Sequence, residues 1–383
     1  LEIGRRLGGL LLWRGQSVAA PPLPRRWLRL WLEASSWEPL ASAICHATYM
    51  SGTLKRTKAL ILVPFSTFEL NALRQTIDVV YENWLETRRL NEPSELGIRL
   101  KDDGVSVLIV EADFVHEEIF DVAPALKLVG LCRGSTGHVD VEAATRHGVL
   151  VINTPSRNAQ AVAELSLGLM LSLARKIPKA HQYVVDGRWT NPIEPYMSMR
   201  GVELAGKVVG IVGLGAIGRS LATICLAVGM ECLAYDPYSE TVPGRIKSVG
   251  LDRLLSSSDF IAVHAPLTPE TNGLLDSSRI ALMSPSSYLI NLSDAAIVVE
   301  DALVEALQSG RIAGAAMDVF ETHPIVPSSP LKSLDNVVLT PHIGGATQET
   351  IERHSKMIGD DIRRFVAGQR PQRLVNPEAW ASE

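Results

Sequence analysis

Residues 208–238 read VVGIVGLGAIGRSLATICLAVGMECLAYDPY, and this stretch decides the fold. An apolar β-type run leads directly into three glycines with the spacing GxGxxG, a helical stretch follows, and a second β-type run ends at Asp236. The glycines are Gly213, Gly215 and Gly218. In that order they permit a tight turn, close approach of the backbone to a pyrophosphate, and close packing of helix on strand. The pattern predicts a strand–helix–strand unit that binds a dinucleotide at the N-terminus of its helix.

The acidic residue after the second run indicates which dinucleotide binds. Asp236 follows Gly213 by 23 residues, close to the distance of about 20 at which such a side chain accepts hydrogen bonds from the ribose hydroxyls. The stretch DPYSETVPG, which begins at Asp236, holds no Arg or Lys to bind the 2′-phosphate of NADP. The sequence therefore predicts NAD as the cofactor.

The rest of the chain repeats this alternation of strand and helix. From Lys58 one series of short β-type runs ends near Thr154, and a second series begins with the run before Gly213, which predicts βαβ units on parallel sheets. Between them, residues 161–177 predict a helix that is apolar nearly all round, a candidate for a domain junction and for a homodimer interface. A last helix, within 347–368, is predicted to return to the first domain.

Composition excludes several classes of protein. The chain of 383 residues is long enough for two domains. Its formal net charge of −5, without long runs of either sign, argues against a nucleic-acid or membrane partner. Cys45, Cys132, Cys225 and Cys232 show no CxxC spacing, so we expect neither a disulfide framework nor a zinc site. No apolar run reaches the roughly 18 residues of a membrane span, and we predict a cytoplasmic location.

Residues 1–49 differ from the body of the chain. They hold six Arg and no Lys, together with four of the seven Trp. One interpretation is an organelle transit segment, which would imply import, and the other is translated upstream sequence before a true start at Met50. We favour the second interpretation and treat the segment as an extension outside the fold.

Several motifs occur together in one order and spacing. They are HVDVEAATRHGVLVINTP, RNAQAVAELSLGLML, VGIVGLGAIGR, YDP, HAPLTPET, DALVEALQSGRIAGAAMDVFE and LTPHIGGAT. On these motifs the chain, from about 58 to 377, resembles the D-isomer-specific 2-hydroxyacid dehydrogenases, and within that family its phosphoglycerate dehydrogenase-like branch.

The resemblance implies an α/β fold of two doubly wound parallel-sheet lobes. A Rossmann NAD-binding domain, 158–344, would be inserted in a flavodoxin-like substrate domain made of 58–157 and 345–377, with a cleft between the lobes. It also implies a homodimer and hydride transfer between NAD(H) and a small-molecule substrate, a 2-hydroxy or 2-oxo acid.

Site residues follow from the same resemblance. Besides the glycines, it places the cofactor against Ala216, Ile217, Asp236, Thr271, Asp318 and Gly344. Asp236 would bind the ribose, Thr271 would lie near the nicotinamide ribose, and Asp318 would hold the carboxamide. On the substrate side it implies Arg133, Ser135 and Asn158. His342 would be the acid/base, while a core position and a functional one are equally weighted for His264.

The chain departs from the family at two catalytic positions. The family's Arg, in a pattern Asn-x-Ser-Arg-Gly, is Asp294 here, and the Glu that supports the acid/base is His323. Loss of a bidentate Arg–carboxylate pair and gain of a like charge predict a loss of about 4 kcal/mol, or a thousandfold in turnover. Where phosphoglycerate enzymes tend to place Arg, this chain reads Glu111-Ala112-Asp113.

Three interpretations of these departures stay open. In the first, the protein is a dehydrogenase of weak or altered activity, with Arg133 or Arg157 supplying the cation or with a substrate that is not a carboxylate. In the second, it is a catalytically silent NAD-binding pseudoenzyme that acts as a sensor or interaction protein. In the third and least favoured, Asp294, His323 and His342 bind a metal ion. We predict catalytic roles for these three residues and no metal.

Overall fold

The structure, a computed structural model, describes residues 56–239 and 241–380. The predictions made for 1–49, including Cys45, lie outside the described residues. The described residues fall in one compact unit that begins at Arg56.

The first part of the chain forms a five-stranded parallel sheet in the order β2-β1-β3-β4-β5. This order, with its switch beside β1, is that of flavodoxin-like folds. The strands are β1 Lys58–Ile61, β2 Asp78–Tyr81, β3 Val107–Val110, β4 Leu128–Leu131 and β5 Leu150–Asn153. The helices are α1 Thr67–Arg74, α2 Trp84–Thr87, α3 Pro93–Asp103, α4 Glu117–Val122 and α5 Val141–Arg146. All residues of β3 and β4 are buried, as expected for parallel strands covered on both faces.

The second part forms a seven-stranded parallel sheet in the order β12-β11-β10-β9-β6-β7-β8. The strands are β6 Val208–Val212, β7 Glu231–Tyr235, β8 Ile246–Ser248, β9 Phe260–Val263, β10 Tyr288–Asn291, β11 Gly314–Met317 and β12 Val337–Leu339. The helices are α6 Ala159–Ala174, α7 Ile177–Val185, α8 Ile193–Ser198, α9 Ala216–Ala227, α10 Leu251–Ser257, α11 Ser277–Ile280 and α12 Glu300–Gln308. The strand order reverses between β6 and β9, which is the ligand-binding crevice of a Rossmann sheet.

The chain then returns to the first sheet. Helix α13, Gln348–Val366, buries Ile358 and Ile362 in the same hydrophobic core as β1 and β4. Leu374 bridges Ile152 at the edge of β5, and the Asn376 side chain accepts a hydrogen bond from the Val151 amide at 2.8 Å. The predicted fold class, a Rossmann domain inserted in a flavodoxin-like one, is confirmed, while the boundaries at 157/158 and 344/345 stay predictions.

The helix predicted to be apolar nearly all round is α6, and contacts within this chain bury most of its apolar side chains. It packs against α9 and against β10 to β12, where Val162, Leu169 and Met170 are buried. The next two helices, α7 and α8, expose a group of large apolar side chains. No helix of the described residues is long and apolar enough to cross a membrane. Cys132, Cys225 and Cys232 are buried free thiols.

Candidate active site

The glycine-rich loop follows β6 and starts α9. Gly213 has φ +95°, and a Cβ there would lie 2.4 Å from the Ala265 amide nitrogen. A Cβ on Gly218 would lie 2.2 Å from the Gly213 carbonyl oxygen. At Gly215, by contrast, a Cβ would meet no other part of the described chain within 4 Å. Protein packing therefore requires the first and third glycines but not the second, whose open space fits a pyrophosphate approaching the helix start at Ala216 and Ile217.

Asp236 directly follows β7, beside this loop. Its carboxylate accepts hydrogen bonds from the Leu214 amide at 2.8 Å and from the Tyr238 amide at 2.9 Å. It is half-buried, and so a ribose can still reach it. Thr271 differs, because its hydroxyl donates to the Pro266 carbonyl oxygen and accepts from the Thr268 amide, both at 2.7 Å, within its own turn. The cofactor roles of both side chains stay predictions.

Asp318, which follows β11, holds the loop that carries His342. Its buried carboxylate accepts hydrogen bonds from the Ile343 amide at 2.9 Å, the Gly344 amide at 2.8 Å and the Thr340 hydroxyl at 2.5 Å. His342 lies in this loop with φ +55°, a left-handed conformation that is uncommon outside glycine. Asp318 thus positions His342, in addition to the carboxamide contact predicted for it.

The two histidines of the predicted catalytic set lie side by side. His342 Nδ1 and His323 Nε2 are 3.1 Å apart, so one ring donates a hydrogen bond to the other. Burial is the largest cause that lowers the pKa of His342 below its usual value, and the neighbouring His323 lowers it further. Asp318 and Asp294 act in the opposite direction. The balance favours the neutral imidazole near pH 7.

Asp294, which follows β10, stabilises the turn that comes directly after it. Its carboxylate accepts a hydrogen bond from the Ala296 amide at 3.0 Å and caps the 3₁₀ turn Ala295–Ile297. Among the described residues no group of three His, Cys, Asp or Glu side chains is arranged to hold a metal ion. The metal set considered from the sequence is therefore not assembled.

The two candidate replacement cations differ in their surroundings. Arg157 is bound to the Glu111 carboxylate and donates to His354 Nδ1 at 2.8 Å. Arg133, after β4, is half-buried and lies 2.9 Å from His138 Nε2. Across 56–239 and 241–380 no carboxylate comes within ion-pair distance of Arg133, whereas Arg157 is paired with Glu111. The substrate role of Arg133 stays a prediction.

Ser135 and Asn158 are the other two residues predicted on the substrate side. Ser135 is exposed in the loop after Arg133. Asn158 is half-buried, and its amide lies 3.2 Å from where a Cβ on Gly345 would be. His264 is buried, its Nε2 lies 3.4 Å from the Ser166 hydroxyl, and its Nδ1 has no hydrogen-bond partner among the described residues. Burial lowers its pKa to about 4, and both interpretations of this residue stay open.

Sequence reasoning missed His138 and Asn291. His138 contacts Arg133. The Asn291 side chain donates to the Asp294 carbonyl oxygen at 2.8 Å, and the Asn291 backbone carbonyl oxygen accepts from the Asp318 amide at 3.0 Å. A polar residue at the end of an otherwise apolar strand was the available signal for Asn291.

Comparisons with known proteins agree with this geometry. A family model described as D-isomer specific 2-hydroxyacid dehydrogenase, NAD binding domain, matches residues 167–344. Glyoxylate reductase of Thermofilum pendens is 37% identical over 81% of this chain and 91% of its own length. The chain belongs to the D-isomer-specific 2-hydroxyacid dehydrogenase family. NAD is its cofactor, and the glycine-rich loop offers the matching cradle.

Further relatives bear on the branch and on the fold. D-3-phosphoglycerate dehydrogenase of Archaeoglobus fulgidus is 35% identical over 83% of this chain but only 59% of its own length. A solved protein of Thermus thermophilus superposes with a TM-score of 0.75 and 33% identity over 83% of this chain and 100% of its own. An acyclic imino acid reductase in complex with NADPH and D-Arg reaches a TM-score of 0.71 at 25% identity, covering 83% and 100%.

Proposed function

We propose that this family member reduces the C2 carbonyl of a small 2-oxo acid with NADH, and that Arg133 takes over the task of the missing family Arg. The observation that carries the proposal is a half-buried guanidinium at the carboxyl end of β4 without a carboxylate partner among the described residues. Arg133 also contributes to lowering the pKa of His342, so its charge acts at the acid/base. The name of the glyoxylate reductase relative supports a small 2-oxo acid.

Each residue of the site has a task in this reaction. The bound dinucleotide supplies the hydride. Arg133 binds the substrate carboxylate with charge-assisted hydrogen bonds and so orients C2. His342 donates a proton to the oxygen that becomes the hydroxyl, while the contact with His323 holds its ring. Asp318 fixes the backbone of the His342 loop through the amides of Ile343 and Gly344.

Asp294 favours a second candidate, the catalytically silent NAD-binding protein. Its carboxylate caps a turn and brings negative charge to the place where the family has a cation. The glycine-rich loop and Asp236 do not depend on that position, so cofactor binding can persist without turnover. This candidate predicts NADH binding together with inertness toward every 2-oxo acid.

Replacing Arg133 by Leu separates the two candidates. We expect kcat/KM for the best of a panel of 2-oxo acids to fall about 10–100-fold, because a charge-assisted hydrogen bond contributes about 1.5–3 kcal/mol. NADH affinity should stay as in the wild type. Arg146→Leu, at an exposed arginine paired with Glu117, is the matched control and should change neither quantity. A wild type that binds NADH but oxidises it with no 2-oxo acid supports the silent protein instead.

We also propose that the macromolecular partner is a second copy of this chain. The arm formed by α7, α8 and the residues between them exposes a group of large apolar side chains: Ile177, Val184, Val185, Trp189, Ile193, Tyr196 and Met197. Lys176 Nζ donates to the Ser198 carbonyl oxygen at 3.1 Å and ties the start of the arm to its end. Such a surface is typical of an interface between subunits.

A further inference from the structure

We propose that the preferred electrophile of this site is a protonated imine, formed from a 2-oxo acid and ammonia or a primary amine, and that Asp294 determines this preference. The inference rests on the proposed function, since it keeps Arg133 as the carboxylate anchor and hydride transfer to C2. The difference is that C2 is double-bonded to nitrogen rather than to oxygen.

Hydrogen bonds connect the Asp294 turn to the loop of His342. Asn291 ends β10 and donates from its side chain to the Asp294 carbonyl oxygen at 2.8 Å. The Asn291 carbonyl accepts from the Asp318 amide at 3.0 Å, and the Asp318 carboxylate holds the amides on the C-terminal side of His342. The Asp294 turn leaves β10 and the His342 loop leaves β12, the two parallel strands on either side of β11, and ligands of such sheets bind at this carboxyl end. The charge of Asp294 also acts on the pKa of His342, so we assign Asp294 to the wall of the reaction site.

The charge of Asp294 discriminates between the two electrophiles. Reduction of a carbonyl builds negative charge on oxygen, and a nearby carboxylate opposes that change. A protonated imine already carries a positive charge, which a carboxylate attracts and keeps protonated. With a carboxylate-bearing substrate, Arg133 and Asp294 would then bind groups of opposite charge on the same small molecule.

The histidine pair suits the same substrate. Carbonyl reduction needs a proton from His342, yet burial and His323 both lower the pKa of that imidazole. A protonated imine needs no proton during hydride transfer. Among the described residues His342 Nε2 has no hydrogen-bond partner, so a neutral ring can accept an N–H hydrogen bond from the imine nitrogen there.

The reaction needs one co-reactant besides NADH and the 2-oxo acid. The 2-oxo acid and ammonia, or a primary amine, condense to the imine with loss of one water, and the imine takes up a proton. C2 then accepts the hydride that NADH supplies, and the π electron pair of the C=N bond moves to nitrogen. The products are NAD⁺ and a 2-amino acid, whose neutral amine takes a proton from solvent after release.

The experiment measures NADH oxidation with glyoxylate or pyruvate, each with and without ammonium or methylamine, at one ionic strength. We expect the amine to raise kcat/KM at least tenfold and the product to be the 2-amino acid by mass spectrometry. Asp294→Asn keeps a capping side chain; it should reduce the amine-dependent rate at least tenfold and raise that of the 2-oxo acid alone. Asp252→Asn, at an exposed aspartate of α10, should match the wild type.

A binding measurement separates this inference from the proposed function. With NAD⁺ present, wild type should bind the 2-amino acid more tightly than the matching 2-hydroxy acid by calorimetry, and Asp294→Asn should reverse that order. If 2-oxo acids are reduced equally with and without amine, the imine inference is wrong and the proposed function stands. If NADH is oxidised neither with nor without amine, the proposed function and the imine inference both fail.

Discussion

After burial, the neighbouring His323 is the next largest cause that lowers the pKa of the acid/base His342. Replacing His323 by Glu should place a carboxylate beside His342 and raise its pKa. A proton donor works below its pKa, so 2-oxo acid reduction should persist to higher pH, with the alkaline limb of the kcat/KM profile moved up by about 1 unit. His323→Gln is the neutral control and should move that limb less. An unchanged limb in the Glu variant would show that His342 is not the titrating donor.

The roles of single residues were predictable where a sequence motif identifies the position. They were not predictable where the role depends on which side chains the fold brings into contact. The resemblance placed His323 next to His342, and the rings are indeed 3.1 Å apart. Arg133 and Arg157 were both named as replacement cations, and of the two only Arg133 was also predicted as a substrate residue. Only the fold distinguishes them, because the Glu111 carboxylate that engages Arg157 lies 46 residues away in the chain. The turn capped by Asp294 was likewise not predictable from the sequence, since a following Ala-Ala-Ile is no helix signal.

The start of α9 provides a matched pair of variants at the scale of one element. Gly218→Ala should destabilise the fold by about 1–3 kcal/mol, since its Cβ would lie 2.2 Å from the Gly213 carbonyl oxygen. Gly215→Ala should leave stability within about 0.5 kcal/mol of wild type, because the added Cβ has no atom of the described residues within 4 Å beyond its own chain neighbours. Thermal unfolding measures both quantities.

The same pair should differ in cofactor binding. Folded Gly215→Ala protein should bind NADH at least tenfold more weakly by fluorescence titration, since its Cβ occupies the space assigned to the pyrophosphate. Normal NADH affinity in Gly215→Ala would show that the cofactor does not pass over this glycine.

Elements with strong periodicity were predictable, and their ends were not. The helix predicted within 161–177 is α6, but the chain leaves it at Ala174 and forms two further short helices. Lys176 adopts φ +54° and breaks the helix, and Pro178 lies in the first turn of the next one. A lysine in a left-handed conformation cannot be recognised from the sequence, whereas the glycines of GxGxxG themselves indicate a tight turn.

At the scale of the whole molecule, topology followed from rules that hold for every parallel sheet. Alternating strands and helices predicted βαβ units on parallel sheets, and the family resemblance implied two doubly wound lobes. The structure has both sheets, in the orders of flavodoxin-like and Rossmann folds. The return of α13 to the first sheet was indicated by its amphipathic pattern and by the family resemblance. The sequence did not predict which apolar helix faces solvent. It pointed to α6, but most apolar side chains of α6 are buried within its own chain.

The assembly prediction therefore concerns the arm of α7 and α8 rather than α6. Met197 and Val185 are 70% and 65% exposed there, and burying them against a second copy would favour association. Light scattering on a sizing column should give wild type twice the mass of one chain, and the double variant Val185→Asp, Met197→Asp the mass of one, because two buried carboxylates per subunit oppose pairing. Phe68→Asp, at an apolar side chain 79% exposed on α1, is the control and should stay paired. A double variant that remains paired would place the interface elsewhere, and a monomeric wild type would leave the arm free for a different protein.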